Sequence, residues 1–303
     1  MSKTNPLSYL TKQWWRQSEG NHKNVVLYTT MCIIAYTVES MEPLLAGWFL
    51  NTMQTEGVNE KSLPKIILIL LLFPLKEGIT WLFHGLARVI ENKNAFYVKA
   101  KYKEYLLGGT LALPLEWHTD HHSGDTIDKI EKGTNALESF ASQTFELLST
   151  GISLLVAIIT LSFFNISGGL LGVFILFLTF YMVTRFDKIL VPGYSKVNQL
   201  ENSISAKVFD TISNITTIII LRVDFQVLSS IKEYIQKPFT QYNKNSKVNE
   251  WKWFAAAMMG RVAVLLITLI YIMFEIHSGN KILAGTVFIV YGYAREIRES
   301  FYS

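Results

Sequence analysis

The segment from Leu113 to Thr126, LPLEWHTDHHSGDT, concentrates side chains that could bind a metal, with three histidines and two aspartates. Histidine and carboxylate are good zinc ligands, and His118 and His122 would share one face of a helix at the i, i+4 spacing. A zinc-protease helix would instead read H-E-x-x-H inside an apolar run, whereas Pro114 and Gly124 bound the histidines here. The pattern favours a solvated connector over a metal site.

A second group of candidates consists of ionisable residues inside apolar segments, where a charge is costly and indicates a function. Glu39 and Glu42 share a helix face at i, i+3, and Lys76 and Glu77 lie at a similar depth on the next apolar segment. An ion pair between Lys76 and either glutamate is possible, as a structural link between two helices or as a substrate contact. Arg261 is a further candidate for a cavity, unless it extends towards lipid headgroups.

The composition indicates that membrane helices position these residues. Half of the 303 residues are hydrophobic and the mean hydropathy is +0.26, which is too apolar for an ordinary soluble domain of this length. The net charge of +4, without a basic run interleaved with aromatics, excludes a typical nucleic-acid binder. The single cysteine, Cys32, excludes a disulfide framework. The polar N-terminal residues do not resemble a signal peptide.

Six apolar stretches are long enough to cross a hydrocarbon core of about 30 Å, which requires about 20 helical residues. They cover residues 25–50, 64–87, 143–164, 168–186, 253–276 and 282–303. The connectors 88–142 and 187–252 are rich in helix formers and too long for loops. We therefore predict an all-α membrane protein whose helices continue beyond the bilayer in both long connectors.

Basic residues predict the orientation of these helices. Seven Lys or Arg lie in the first long connector and ten between Arg185 and Lys252, whereas the side of the short connectors has only Lys61, Lys65 and Lys281. The positive-inside rule places the long connectors and both termini in the cytoplasm. Residues 1–24 are then a cytoplasmic segment. We expect the positions of His22, His122 and Phe225 to lie inside, and those of Asn59 and Asn280 outside.

Three motifs, taken in their order along the chain, resemble the six-helix transmembrane domain of ATP-binding cassette exporters. The first is the Leu113-Pro114 pair followed by Trp117, the polar TDHHS, Gly124 and DTIDKIEKGTNAL. The second is AKVFDTISNITTIIILRVDFQVLSSIKEY, and the third is LAGTVFIVYGYAREIRESF. The resemblance covers residues 25–303 and implies two intracellular coupling helices, short helices that dock onto a nucleotide-binding domain. Their residues are Leu115, Glu116, Trp117, His118, His121 and His122 in the first, and Val223, Asp224, Phe225 and Gln226 in the second.

The resemblance also implies partners that this sequence does not contain. No G-x-x-x-x-G-K-[ST] phosphate loop occurs, so ATP, magnesium and hydrolysis are expected on a nucleotide-binding domain after residue 303 or on a separate chain. Six helices are half of the usual pathway, which implies a homodimer or a related partner chain in the lipid bilayer. The expected protein is an ATP-driven exporter working by alternating access, in a bacterial inner membrane.

A proton-coupled secondary transporter that reuses the same membrane domain is the alternative. In that case Glu39, Glu42 or Glu77 would carry the protons, and no ATPase would be required.

Overall fold

A computed structural model describes residues 6–121 and 123–300, and the described residues form helices without a β-strand. The predicted all-α class is therefore confirmed for this part of the chain. Its helices, in chain order, are α1 (Pro6–Gln17), α2 (His22–Glu39), α3 (Glu42–Glu56), α4 (Leu63–Leu111), α5 (Leu115–Asp120), α6 (Ser123–Ser142), α7 (Thr144–Phe164), α8 (Ile166–Ser213), α9 (Ile215–Leu221), α10 (Asp224–His277) and α11 (Ala284–Glu299).

Four helical segments of the described residues are long and apolar enough to cross a membrane. They are Leu63–Leu111, Thr126–Phe164, Ile166–Ser213 and Asp224–His277. These segments contain the second, third, fourth and fifth predicted spans. The first predicted span is divided between α2 and α3, and α11 has 16 residues. The first and sixth crossings therefore stay predictions.

The long connectors are largely helical, as the sequence predicts. Helix α4 runs for 49 residues from the second apolar stretch to Leu111, and α8 runs for 48 residues to Ser213. Helix α10 begins at Asp224 and enters the fifth apolar stretch without interruption. At a rise of 1.5 Å per residue, each of these helices is about two and a half times as long as a bilayer core is thick.

The first predicted span is interrupted at Ser40 and Met41, between α2 and α3. Pro43 occupies the first turn of α3, where its missing N–H has no intrahelical partner to lose, and its ring disfavours continuation from the preceding helix. The interruption leaves the carbonyl of Ser40 available, and the hydroxyl of Tyr293 on α11 donates to it at 2.7 Å. A residue far along the chain thus satisfies the interrupted backbone.

A second interruption separates α6 from α7, and α4 stabilises it. Glu91 is fully buried and pairs with Arg88 at 2.6 Å. Its other oxygen accepts the backbone N–H of Phe145 at 2.9 Å, which caps the start of α7. Arg88 also donates to the carbonyl of Ser142 at 2.8 Å, at the end of α6. These contacts join both sides of the interruption to one turn of α4.

The described chain divides into two compact units, Met1–Gly169 with Ile267–Ser303, and Leu170–Leu266. The core of the first unit is formed where α2, α4 and α7 pack around Tyr28, Cys32 and Ala87. In the second unit, α8 and α10 approach closely where Gly193 faces the side chain of Asn245. Asp187 and Lys252 also pair there at 3.4 Å. The predicted division between residues 24 and 25 stays a prediction.

Candidate functional site

The ionisable residues of the first two predicted spans lie together around one buried ammonium group. The Nζ atom of Lys76 lies 2.9 Å from Glu42, 3.1 Å from Glu39 and 3.9 Å from Glu77. The Lys76 side chain is only 6% exposed, whereas the three glutamates are about half exposed. We call these four residues the Lys76 cluster. The structure therefore places four of the five sequence candidates together, while Arg261 is exposed in the second unit.

The helix ends explain why these charges assemble at the α2–α3 interruption. Glu42 is the first residue of α3, where the positive end of the helix dipole favours a carboxylate. Glu39 is the last residue of α2, at the negative end, where a carboxylate is disfavoured and a cation is favoured. Lys76 on α4 supplies that cation at the end of α2, and its ammonium group also pairs with Glu42 at the start of α3. The cluster joins α2, α3 and α4 and is a structural link whatever else it does.

Two members of the Lys76 cluster also line a cavity of about 460 Å³ in the first unit. Glu39 and Glu42 contribute from the α2–α3 interruption, and hydroxyl groups contribute from α7. Ser40 donates to Ser153 at 3.2 Å across the cavity wall. The remaining wall comes from α11, with two aromatic rings and several charges: Phe288, Tyr291, Gly292, Arg295, Glu296, Glu299 and Ser300. We call this space the polar cavity.

The charged residues of α11 were not among the sequence candidates, although a signal for them exists. Arg295, Glu296 and Glu299 lie within the sixth predicted apolar stretch, where ionisable residues indicate a function just as they do in the first two spans. The motif that opens this stretch directs attention to its small residues instead. Only the packing of α11 against α3 and α7 shows that these charged residues line the same cavity as Glu39 and Glu42.

The predicted first coupling residues form the tip of the first long connector, which we call the first tip (residues 115–121). Pro114 adopts an extended conformation before α5, and His121 is extended after it, so that α5 stands apart from α4 and α6. Leu115, Glu116 and His118 are exposed. Trp117 is partly exposed, stacks on His121 at 4.2 Å and meets His118 edge-on at 5.3 Å. His122 lies outside the described residues.

The second connector also has a short helix at its far end, and we call residues 215–226 the second tip. Helix α9 ends at Leu221, and Arg222 takes a left-handed conformation with φ of 51°. The predicted contact residues follow this turn. Val223 precedes α10, and the first three residues of α10 are Asp224, Phe225 and Gln226. Phe225 is 78% exposed, and Asp224 and Gln226 are exposed as well. The second tip therefore presents an apolar ring beside a charge.

Among the described residues, no group of three or more His, Cys, Asp or Glu side chains is arranged to hold a metal ion. At the first tip, the imidazoles of His118 and His121 contact the indole of Trp117, and Nδ1 of His121 donates to the carbonyl of Trp117 at 2.9 Å. What this tip offers is an aromatic surface with polar edges.

Two comparisons with known proteins find the same likeness. Residues 25–295 match the family model described as the ABC transporter transmembrane region. The fold resembles a solved structure titled "Structure of a bacterial Atm1-family ABC exporter with ATP bound", with a TM-score of 0.78 and 15% sequence identity. The match covers 92% of this chain and 49% of that one, so this chain spans about half the length of the exporter. A search of curated protein sequences finds no significant match.

Proposed function

Since the chain belongs to the family of ABC transporter transmembrane regions, we propose that it is the substrate-translocating half of an ATP-driven exporter. Two copies, or this chain and a related one, provide the complete pathway. A nucleotide-binding domain supplies ATP hydrolysis, and the two tips transmit it to the membrane helices. The long connectors and both termini lie in the cytoplasm of a bacterial cell, and the pathway opens alternately to the two sides.

The observation that carries this proposal is the form of the first tip. The first tip presents an apolar and aromatic surface at the far end of long helices, and Leu115 is 79% exposed there. Protein interfaces use such buried aromatic anchors, surrounded by polar groups, for most of their binding free energy. Trp117, with His118 and His121 beside it, fits this description. The second tip adds Phe225 on the other long connector.

The Lys76 cluster supports ATP rather than a proton gradient as the energy source. A carboxylate that carries protons must lose and regain its charge during the cycle, and protonation of a member of the Lys76 cluster would weaken its pairing with the ammonium group. Glu39, Glu42 and Glu77 all lie within 4 Å of the Lys76 ammonium group. These are the three residues on which a proton-coupled mechanism would depend. Proton transfer there would disturb the contacts that join α2, α3 and α4, which favours ATP as the energy source.

The test is the effect of the first tip on ATP hydrolysis. The ATPase rate of the nucleotide-binding domain is measured at increasing concentrations of the protein in lipid nanodiscs. The concentration dependence of this rate gives the affinity between the two proteins. Truncating a central aromatic anchor costs on the order of 2 kcal/mol or more, so Trp117→Ala should reduce the affinity between the two proteins at least about thirtyfold.

Trp251→Ala is the matched control, because Trp251 is also an exposed indole, 65% exposed on α10, but lies outside both tips. It should bind the nucleotide-binding domain as the unmodified protein does. Equal affinities for all three proteins would contradict the docking role of the first tip.

A further inference from the structure

The wall of the polar cavity contains an excess of negative charge. Four carboxylates line it, those of Glu39, Glu42, Glu296 and Glu299, and Arg295 is the one cationic side chain among the described residues of the lining. A carboxylate that loses its water when an occupant binds requires a counter-ion, because desolvation of an isolated charge is costly. The charge of a molecule that fits the cavity therefore depends on which of these carboxylates already have a counter-ion within the chain.

Three of the four carboxylates have a cationic partner within the chain. Glu39 and Glu42 share the Lys76 ammonium group, at 3.1 and 2.9 Å. Glu299 accepts Nε of Arg295 at 3.0 Å and Nη2 of Arg298 at 3.2 Å. The guanidinium group that lines the cavity is thus already engaged by Glu299.

Glu296 is different from the other three. Its Oε2 atom is buried and accepts no hydrogen bond from the described residues. Glu39, Glu42 and Glu299 line the same cavity as Glu296, and the guanidinium group of Arg295 is paired with Glu299. An additional cation in the cavity would compensate this charge.

The remaining lining indicates what kind of cation fits. The cavity volume of about 460 Å³ lies within the range of small-molecule pockets, about 300 to 1,000 Å³. The rings of Phe288 and Tyr291 belong to the wall, as do Pro43 and Ala46. Aromatic faces attract organic cations and bury their apolar groups. The described carboxylates are not arranged as a metal site.

We propose that the polar cavity binds a hydrophobic organic monocation, such as a quaternary ammonium compound, with Glu296 as its counter-ion and Phe288 and Tyr291 against its apolar body. This assignment rests on the proposed function, for which it names the substrate class. The Lys76 cluster then fixes the α2–α3 side of the cavity, and α11 carries the recognition groups.

The first test is equilibrium binding of radiolabelled tetraphenylphosphonium to the protein in nanodiscs, without nucleotide or partner, with empty nanodiscs subtracted. The unmodified protein should bind it saturably, and neutral triphenylphosphine oxide should compete poorly. Glu296→Gln should weaken binding at least tenfold, because the substitution removes the charge and keeps the shape. Glu146→Gln, which removes an exposed carboxylate one turn from Ser149 on α7 but outside the cavity wall, should leave binding unchanged.

A variant that should increase binding distinguishes a loss of the charge from a folding defect. Arg295→Gln removes one of the two guanidinium partners of Glu299 and makes the wall more negative, so it should strengthen tetraphenylphosphonium binding severalfold. Tyr291→Leu should weaken it severalfold while preserving the charges. Equal binding by the Glu296→Gln and unmodified proteins, or efficient competition by sodium or magnesium ions at matched ionic strength, would overturn the proposal.

This experiment separates the two proposals, because it requires no ATP. If tetraphenylphosphonium does not bind but the nucleotide-binding domain still docks through Trp117, the substrate class is wrong and the exporter assignment stands. If the cation binds through Glu296 but no nucleotide-binding domain docks, the energy source is wrong and the cavity assignment stands as a binding site.

Discussion

Glu91 illustrates how much a single side chain of this protein can contribute without touching a substrate. It is fully buried, it neutralises Arg88 and it caps α7 through the N–H of Phe145. From the sequence, Arg88 was only one of the charges that indicate orientation, and Glu91 had no assigned role. The pairing across the α6–α7 interruption depends on residues about fifty positions apart, and no local pattern reveals it.

Removal of the Glu91 carboxylate should destabilise the protein substantially. Glu91→Ala leaves Arg88 without its carboxylate and the start of α7 without its cap, which we expect to cost about 3 to 5 kcal/mol. Glu91→Gln retains an oxygen that can accept from Phe145 and should cost less. Glu104→Ala, at an exposed position of the same helix, should change stability by less than about 0.5 kcal/mol. Thermal unfolding in detergent measures this order, and equal melting temperatures for the two alanine variants would contradict it.

The pH dependence of stability provides a second measurement at this residue, which lies beyond the predicted span 64–87. Burial raises the pKa of the Glu91 carboxyl above its ordinary value of 4.5, and Arg88 opposes this shift. Folding then favours the protonated form, so this contribution to stability is complete below pH 4.5 and is lost as the pH rises through the raised pKa. The stability of the unmodified protein relative to Glu91→Gln should therefore fall with increasing pH. A relative stability that increases with pH would contradict the burial effect.

The helices show which parts of the fold the sequence can predict. Apolar stretches and helix formers predicted α4, α8 and α10, including their continuation beyond the apolar segments, because these are local and repetitive signals. In the turn after Phe164, the side chain of Asn165 accepts the N–H of Gly168 at 3.0 Å. The apolar pattern of residues 25–50 predicts one span, whereas the chain forms two helices that meet just before Pro43. The hydroxyl of Tyr293 that stabilises this interruption is too distant in sequence to be anticipated.

The pairing of α3 with α11 depends on glycines. A Cβ atom at Gly285 would overlap the carbonyl oxygen of Gly47, and one at Gly292 would lie 2.8 Å from Cβ of Pro43. Asn51 reinforces the pairing, because its Oδ1 accepts the N–H of Thr286 at 3.1 Å near the start of α11. The backbones approach too closely for any side chain between them.

Two identical substitutions at different glycines should therefore have opposite effects. Gly285→Ala forces α3 and α11 apart and should destabilise the protein by about 1 to 3 kcal/mol or more. Gly78→Ala, inside α4 with no atom within 4 Å of the added methyl group, should stabilise it by about 0.5 to 1 kcal/mol. Thermal unfolding of both variants checks this, and a tolerated Gly285→Ala would show that the helices are not in such close contact.

At the scale of the whole molecule, the sequence indicated the family but not the walls of the cavity, and the side of the membrane stays a prediction. The family motifs lie in segments that are contiguous along the chain. The polar cavity joins the α2–α3 interruption, α7 and α11, which are separated by more than a hundred residues. The residues that α11 contributes, about half of the lining, can therefore be assigned to the cavity only once these helices are seen to pack together.

The predicted orientation can be tested by labelling of single cysteines. In a Cys32→Ala background, cysteines replace exposed residues at both ends: Glu60 and Lys281 on the short connectors, and His118 and Phe225 on the long ones. The positive-inside rule predicts that an impermeant maleimide added to intact cells labels positions 60 and 281 only. The other two should react after the membrane is permeabilised. Labelling of position 118 or 225 in intact cells would reverse the orientation and remove the tips from the cytoplasm.

ATP-dependent alternating access is the central claim, and the accessibility of Ala46 in the polar cavity tests it most directly. An impermeant maleimide is applied from each side to Ala46→Cys, in the Cys32→Ala background, in proteoliposomes that also contain the nucleotide-binding domain. We predict labelling from the domain's side without nucleotide and from the opposite side with ATP and vanadate. A proton gradient alone should not change the labelling. A change of side with the gradient alone, or none with ATP, would contradict the ATP-driven mechanism.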